Sequence, residues 1–344
     1  MPEPRPKSVD YVAEVFNYYH DYRRRRIEGD LIKYLKAYTA YDDEYEQYKA
    51  IYGEDGWRSV LYFPIVYANI ETLVPRLVMA MVGDPNVIEL EATEESDVQM
   101  VDPLETILRK QWKWMGGFNQ TLAHVRNVLT YGFGWVKLGW VYNEMVRRVA
   151  IPRANIFGRR VFGSVEKKQR VVVQNHPVMQ SLPPERIYWD PGGKHDLSTH
   201  MVLLDRYMAS RRFVTDQQAF GDWKNVGDIN WEKSPEVDDE LEVTRKELNK
   251  EDPEDSYRVG PQNKWHKRCE IIEAYGLSLS GKPRWKIIIA NRQTELFNAE
   301  NPFPFGHAPL LFSRNSTVAG RFTAPRSEER RVGKECRSRW SPYH

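Results

Sequence analysis

Hydrophobic spacing changes character near residue 132. Up to that point apolar residues recur every three or four positions, as on one face of a helix; beyond it they alternate or fall in short runs, as in strands. Ser8 and Asp10 are positioned as caps before the helical run YVAEVFNYYHDYRRRR, and Arg23, Arg24, Arg25 and Arg26 close it, where cations meet the negative end of the helix dipole. The stretch LIKYLKAYTAYDDEYEQYKAIYG carries helical spacing on to Gly53, its tyrosines read as packing residues with base stacking as the alternative. A third helix puts Val66, Ile70, Leu73, Leu77 and Met81 on one buried stripe, with Pro75 expected to kink or break it. GDPNVIELEA then predicts a short extended segment, and two further helices follow, the first starting at Asp102 with Pro103 in its first turn.

From Gly132 the sequence GFGWVKLGWVY sets Val136, Leu138, Trp140 and Tyr142 against Trp135, Lys137, Gly139 and Val141, a strand alternation. EMVRRVAIP, RRVFGSVEKKQRVVVQN, HMVLLDRYMA, CEIIEAYGLSL, PRWKIIIANRQTEL and HAPLLFSR add strands with turn residues between them. Residues 224–263 are polar and acidic and read as a surface excursion, mostly loop with one short helix. Helices in front and antiparallel strands behind predict an α+β fold. The expected division is a helical region over 1–131, a mainly β body over 132–325 and a tail over 326–344.

Composition changes this picture only at the tail. The 344 residues carry a formal charge of +2, and the nineteen from Arg326 to His344 hold six cations and three anions; without them 44 lysines and arginines face 45 aspartates and glutamates. Cys336 also lies there, leaving Cys269 as a lone thiol that supports neither a disulfide framework nor a zinc site. The tail resembles the in-frame translation of a sequencing adapter, whose opening codons read Arg-Ser-Glu-Glu-Arg. On that reading it is a scar, and the chain is the front part of a longer protein; the alternative is a basic arm that neutralises phosphates. Glu71 and Arg76 make the apolar stretch 63–83 an expensive membrane span, and PEPRPKSVD after Met1 has no apolar leader.

Motifs for enzyme chemistry are few. There is no phosphate-binding G-x-x-x-x-G-K-[ST] loop, no G-x-S-x-G elbow and no H-E-x-x-H pair. Asp190, His195, Asp196 and His200 gather in WDPGGKHDLSTH, but Asp190-Pro191-Gly192-Gly193 is turn chemistry before it is a metal site. The glycines at 132 and 134 mark a helix-to-strand turn, whereas a dinucleotide fingerprint opens a helix. No cofactor is expected.

What stands out is an ordered series: YFPIVYANIETLVPRLVMAMVGDPNVIELEA, a helix feeding a strand, then FNQTLAHVRNVLTYGFGWVKLGWVY, LPPERIYWDPGGKHDLSTHMVLLDRYMASRRFVTD, CEIIEAYGLSL and NPFPFGHAPLLFSRNSTVAGRF. This order resembles the N-terminal portion of portal proteins of tailed bacteriophages, especially the short-tailed kind, from about Tyr11 to Phe322. The long acidic excursion and the hairpin-like insertion around residues 147–168 depart from it. The resemblance implies a non-enzymatic subunit of a ring, typically dodecameric when full length. Such a ring sits at one vertex of the virion, assembled in the host cytoplasm, and passes double-stranded DNA during packaging and ejection. Its partners are copies of itself, a motor ATPase, capsid and tail proteins, and no membrane.

Interface or scaffold roles are expected for Tyr131, Gly132 and Gly134 at the helix-to-strand junction and for Trp189, Asp190 and Pro191 in the turn. Arg23 to Arg26 are the expected DNA contacts. Two alternatives stand beside this reading: another head-tail connector subunit, and a DNA-processing, nuclease-like enzyme with an incomplete catalytic part. The enzyme predicts converging carboxylates, for instance Asp190 and Asp205 with His195 or His200.

Overall fold

The computed structural model describes residues 7–39, 65–84, 86–152, 164–193, 197, 200–220, 222–231, 240–248, 267–276, 285–303, 308–316 and 323. Helices α1 (Lys7–Arg23) and α2 (Gly29–Tyr38) are joined without a break by a π-helical turn, Arg24–Glu28. Helix α3 spans Ile65–Val82, α4 Val98–Trp114 and α5 Gly117–Tyr131. The strands follow: β1 (Phe133–Pro152), β2 (Ser164–Leu182), β3 (Ile187–Trp189) and β4 (Val202–Ser210). After them come α6 (Arg211–Phe220), α7 (Glu240–Leu248), β5 (Arg268–Gly276), β6 (Trp285–Ala290), β7 (Thr294–Glu300) and β8 (Leu310–Arg314). The fold is α+β, with antiparallel sheets in the orders β2-β1-β8 and β3-β4-β5-β6-β7.

The five-stranded sheet is covered differently on its two faces. Val9, Val12, Phe16 and Tyr19 of α1 bury one face against Tyr188, Val202, Leu204, Ile272, Ala274, Ile287 and Ile289. The other face is apolar at both ends and charged in the middle. One end joins Ile187, Trp189 and Leu203 to Phe133 and Trp135 of β1 and Leu31 and Leu35 of α2; the other joins Ala209, Cys269, Ile271 and Ile288 to Val214, Trp223 and Ile229. Helical and β regions therefore share cores. Strands β1 and β2 form a ribbon of 18 register pairs, with a bulge at Val173 where Asn143 pairs Gln174 and Glu144 pairs Val172. Strand β8 flanks β1 only from Phe133 to Lys137.

Several sequence expectations need correction. Arg23 to Arg26 do not close a helix, because the backbone continues through a π turn that brings Glu28 inward to accept the Leu241 amide at 2.9 Å. Ser8 lies within α1, buried, with its hydroxyl bonded to Glu295, so it is a core contact and not a cap. The stretch to Gly53 is described only to Thr39, where α2 ends at Tyr38, and residues 40–64 lie outside the described part. In α3 the buried row is Ile70, Val74 and Val78, with Val66 and Val82 at its ends, while Leu73, Leu77 and Met81 are exposed. The helix runs through Pro75. Helix α4 starts at Val98, four residues before Asp102, after a short 3-10 turn at Glu95–Asp97, and Pro103 sits inside it. Residues 87–92 form no strand; they are held to α4 by Glu105, which accepts the Leu90 amide at 2.8 Å, and by Arg109, which donates to the Ile88 carbonyl at 3.0 Å. EMVRRVAIP is the outer part of β1, and PRWKIIIANRQTEL is a two-strand hairpin. The acidic excursion contains the expected helix, α7, but Val226, Ile229 and Leu241 are core residues, so its described parts are packed down. Ser210 caps α6, accepting the Phe213 amide at 3.3 Å.

Candidate functional site

The polar middle of the large sheet is built around Asp205 of β4, Glu273 of β5 and Lys286 of β6. Asp205 in VLLDRYMA and Glu273 in CEIIEAYG occupy directly opposed register positions on β4 and β5, an arrangement that repels unless cations intervene. Lys137 supplies one from β1. Its Nζ lies 2.7 Å from Asp205 Oδ2 and 3.1 Å from Glu273 Oε2, linking the small sheet to the large one. Arg186 clamps Asp205 through Nε to Oδ1 at 3.0 Å and Nη2 to Oδ2 at 2.9 Å. Glu273 also receives Tyr207 Oη at 2.7 Å and Tyr275 Oη at 2.5 Å, with Lys286 Nζ at 3.4 Å.

These contacts decide the protonation states. Burial opposes ionisation of Glu273, yet Lys137, Lys286 and the two tyrosine hydroxyls overcome it and hold the carboxyl well below its usual range. Burial likewise works against the Lys137 ammonium, and the charges of Glu273 and Asp205 outweigh it, so its pKa rises. Burial, reinforced by Glu273, pushes the phenols of Tyr207 and Tyr275 up.

Above this network lies a cleft of ≈ 720 Å³ between the ribbon and the sheet. Lys137, Arg186, Glu273 and Lys286 line its charged part, and Trp140 and Phe213 are exposed on its walls. The opposed carboxylates are in part what an enzyme would need, but their oxygens are already engaged by Lys137, Arg186, Lys286 and two tyrosines. Among the described residues no group of three or more His, Cys, Asp or Glu side chains is placed to hold a metal ion.

The residues selected from sequence are brought together, but as packing. Helix α5 ends at Tyr131, and Gly132 takes φ +83°, a left-handed cap whose amide donates to the Val128 carbonyl at 2.9 Å. A Cβ on Gly134 would stand 2.8 Å from both the His124 ring and Val128 Cγ2, so the strand can start here only with glycine's close approach. Phe133, between them, meets the Trp189 ring edge-on at 5.7 Å, and Trp135 lies 6.1 Å from the same ring. Tyr131 and Trp189 are buried in this shared core. Asp190 closes the turn through Pro191: its side chain accepts the Gly192 amide at 2.8 Å and the Met201 amide at 3.3 Å, and its carbonyl accepts Gly193 at 3.0 Å.

Asp190 and Asp205 therefore serve different partners and do not converge; His200 is buried beside Gly193, and His195 and Asp196 lie outside the described residues. The arginine run is also divided. Arg23 is buried, donating to the Glu185 carbonyl at 2.8 Å with its guanidinium 4.7 Å over Tyr188, which removes it from contact with phosphates. Arg24 pairs Glu240 at 3.3 Å, and Arg25 and Arg26 are exposed.

The network residues Lys137, Glu273, Arg186 and Lys286 were not singled out from sequence. For Lys137 and Lys286 a signal was present: a single charge inside an otherwise apolar strand, as in WVKLGW and WKIIIA. No protein-family model matches the chain, and no curated protein matches it.

Proposed function

We propose that this chain is a structural subunit of a bacteriophage portal, the ring through which double-stranded DNA is packaged into and ejected from the virion. The observation that carries the reading is an amphipathic helix whose apolar side stays exposed among the described residues. Helix α4 has no buried residue, and Met100, Leu104, Ile107 and Trp114 form an exposed stripe at helical spacing. Leu73, Leu77, Met79 and Met81 of α3 are exposed as well. Exposed apolar rows of this kind mark interaction surfaces, which an assembling subunit needs.

Helix α3 is 18 residues long with a mean hydropathy of 1.4, enough by length and composition alone to cross a membrane. Its middle argues for a packed helix instead: Glu71 takes Arg126 through two bonds of 2.9 and 3.0 Å and Tyr38 Oη at 2.5 Å, and Ile70, Val74 and Val78 pack on Val125 and Leu129 of α5. The ordered segments that resemble portal proteins add to the reading. On it, the further partners are a motor ATPase, capsid and tail proteins, and the site of action is the portal vertex.

Native mass spectrometry and electron microscopy of the purified chain test this. Multi-copy assemblies of defined stoichiometry are expected, and a monodisperse monomer at tens of micromolar would overturn it. The second reading, a nuclease-like enzyme, has the Asp205–Glu273 pair in its favour. It requires cleavage of plasmid DNA in Mg²⁺ or Mn²⁺ that is lost in Asp205→Asn.

A further inference from the structure

The outer half of the β1–β2 ribbon concentrates positive charge on an otherwise acidic chain. The sequence from 144 to 170, of which 153–163 lie outside the described residues, holds eight lysines and arginines against two glutamates, whereas the other 42 cations of the chain face 46 anions. If the tail from Arg326 is also set aside, 36 face 43. Within the described strands, Arg147, Arg148, Lys167, Lys168 and Arg170 fall on four consecutive rungs, Val146↔Arg170, Arg147↔Gln169, Arg148↔Lys168 and Val149↔Lys167. At about 3.4 Å per residue that is five cations in roughly 10 Å of ribbon. Arg147, Arg148 and Arg170 are exposed, the Arg170 side chain at 81%, with Glu144 3.9 Å away. Met145, Val146, Val171 and Val172 between them are exposed too. Two strands alone are marginally stable in water, so a ribbon of this length gains from a partner.

We infer that the outer ribbon is a DNA-binding arm that lies in a groove of duplex DNA. Alternate rungs belong to opposite faces of a ribbon, so the register assigns Arg148 and Arg170 to one face and Arg147 to the other. Cations on both faces suit a ligand that presents anions on two sides. A membrane surface presents them on one. The major groove of B-form DNA, about 12 Å wide, admits a two-stranded ribbon between two walls of phosphate. The major groove of duplex RNA is too narrow and deep for this. The contacts are to phosphate, so they position the chain without reading sequence. The inference stands whether or not the chain forms rings.

Fluorescence anisotropy with a mixed-sequence 30-base-pair DNA, from 50 to 200 mM salt, tests it on the full chain and on Arg147→Gln/Arg148→Gln/Lys167→Gln/Lys168→Gln. Each phosphate contact adds about 0.9 to the slope of log affinity against log salt, so the variant's slope should be shallower by up to about 3.6. Its affinity at 50 mM salt should fall by roughly a hundredfold or more. The tail is common to both proteins, so the difference reports the ribbon, and unchanged thermal unfolding shows that the substitutions leave the fold intact. Arg147→Lys/Arg148→Lys should keep most of the binding. Absence of DNA binding at 50 mM salt, equal slopes for the two proteins, or a preference for duplex RNA or for vesicles of anionic lipid would overturn the assignment.

Discussion

Lys137 Nζ stands 2.7 Å from Asp205 and 3.1 Å from Glu273, and this one ammonium separates two carboxylates that face each other across neighbouring strands. Removing one partner of a buried pair costs more than the pair itself contributes, because the remaining charge stays dehydrated. Lys137→Met should therefore destabilise the protein by about 3–5 kcal/mol in urea unfolding. Adding Asp205→Asn and Glu273→Gln to it should restore much of the loss. If the triple variant is no more stable than Lys137→Met, packing and not charge is what Lys137 provides.

Glu273 predicts an acid limb in the stability curve. Its folded-state pKa lies below the ordinary value of 4.5, so the unfolded chain binds the proton more tightly. The carboxylate's contribution is complete above about pH 4.5 and is lost as pH falls through the depressed folded value. At pH 7 Glu273→Gln should be less stable than wild type by about 3–5 kcal/mol. Urea midpoints at pH 7, 4 and 3 should bring the two proteins together as pH falls; a constant difference would remove Glu273 from the acid limb.

Helix α3 separates two apolar rows that sequence alone could not rank. Val78 is fully buried and Leu77 is 40% exposed, although both are aliphatic and adjacent. Val78→Ala should cost about 2 kcal/mol from lost burial and the cavity left behind. Leu77→Ala should change monomer stability by no more than about 0.5 kcal/mol. Chemical unfolding of the two variants under monomeric conditions decides between the rows.

That ambiguity shows where the sequence was legible. The switch from helix to strand at Gly132, the Asp190 turn and the Ser210 cap all rest on local chemistry, and each is found where local chemistry puts it. Choosing a buried face needs the neighbour: the row Val66, Ile70, Val74, Val78 faces α5, whose Val125 and Leu129 have the same four-residue spacing, so each row packs into the groove beside the other. The π turn at Arg24–Glu28 was hidden for the same reason, since it is held by Glu28 reaching Leu241, more than two hundred residues away. Lys137 and Lys286 had a local signal in their strands, but the network's convergence depends on β1 of the small sheet reaching over the large one through Lys137.

Gly134 tests the helix-to-strand junction. An added Cβ would approach His124 and Val128 to 2.8 Å, and neither can withdraw freely: His124 Nε2 is 2.5 Å from Ser313 Oγ, and Val128 lies in the same helix. Gly134→Ala should cost about 1–3 kcal/mol by overpacking. Gly139→Ala is the control, because nothing lies within 4 Å of a Cβ there, and it should be close to neutral in thermal unfolding.

The apolar stripe of α4 gives the prediction that bears most directly on assembly. Leu104 and Ile107 are 44% and 51% exposed, so Leu104→Asp/Ile107→Asp removes no core contact and should leave monomer unfolding unchanged within about 0.5 kcal/mol. If the stripe is an interface between copies, each contact loses two apolar side chains worth about 1.5–3 kcal/mol apiece and gains two buried charges. An association constant should then fall by more than about a hundredfold per interface, since each 1.4 kcal/mol is tenfold. Sedimentation velocity of the variant beside wild type should show assemblies replaced by monomer at the same concentration. Assemblies that persist unchanged would move the interface off α4, and the exposed row of α3, Leu73, Leu77 and Met81, would be the next face to charge.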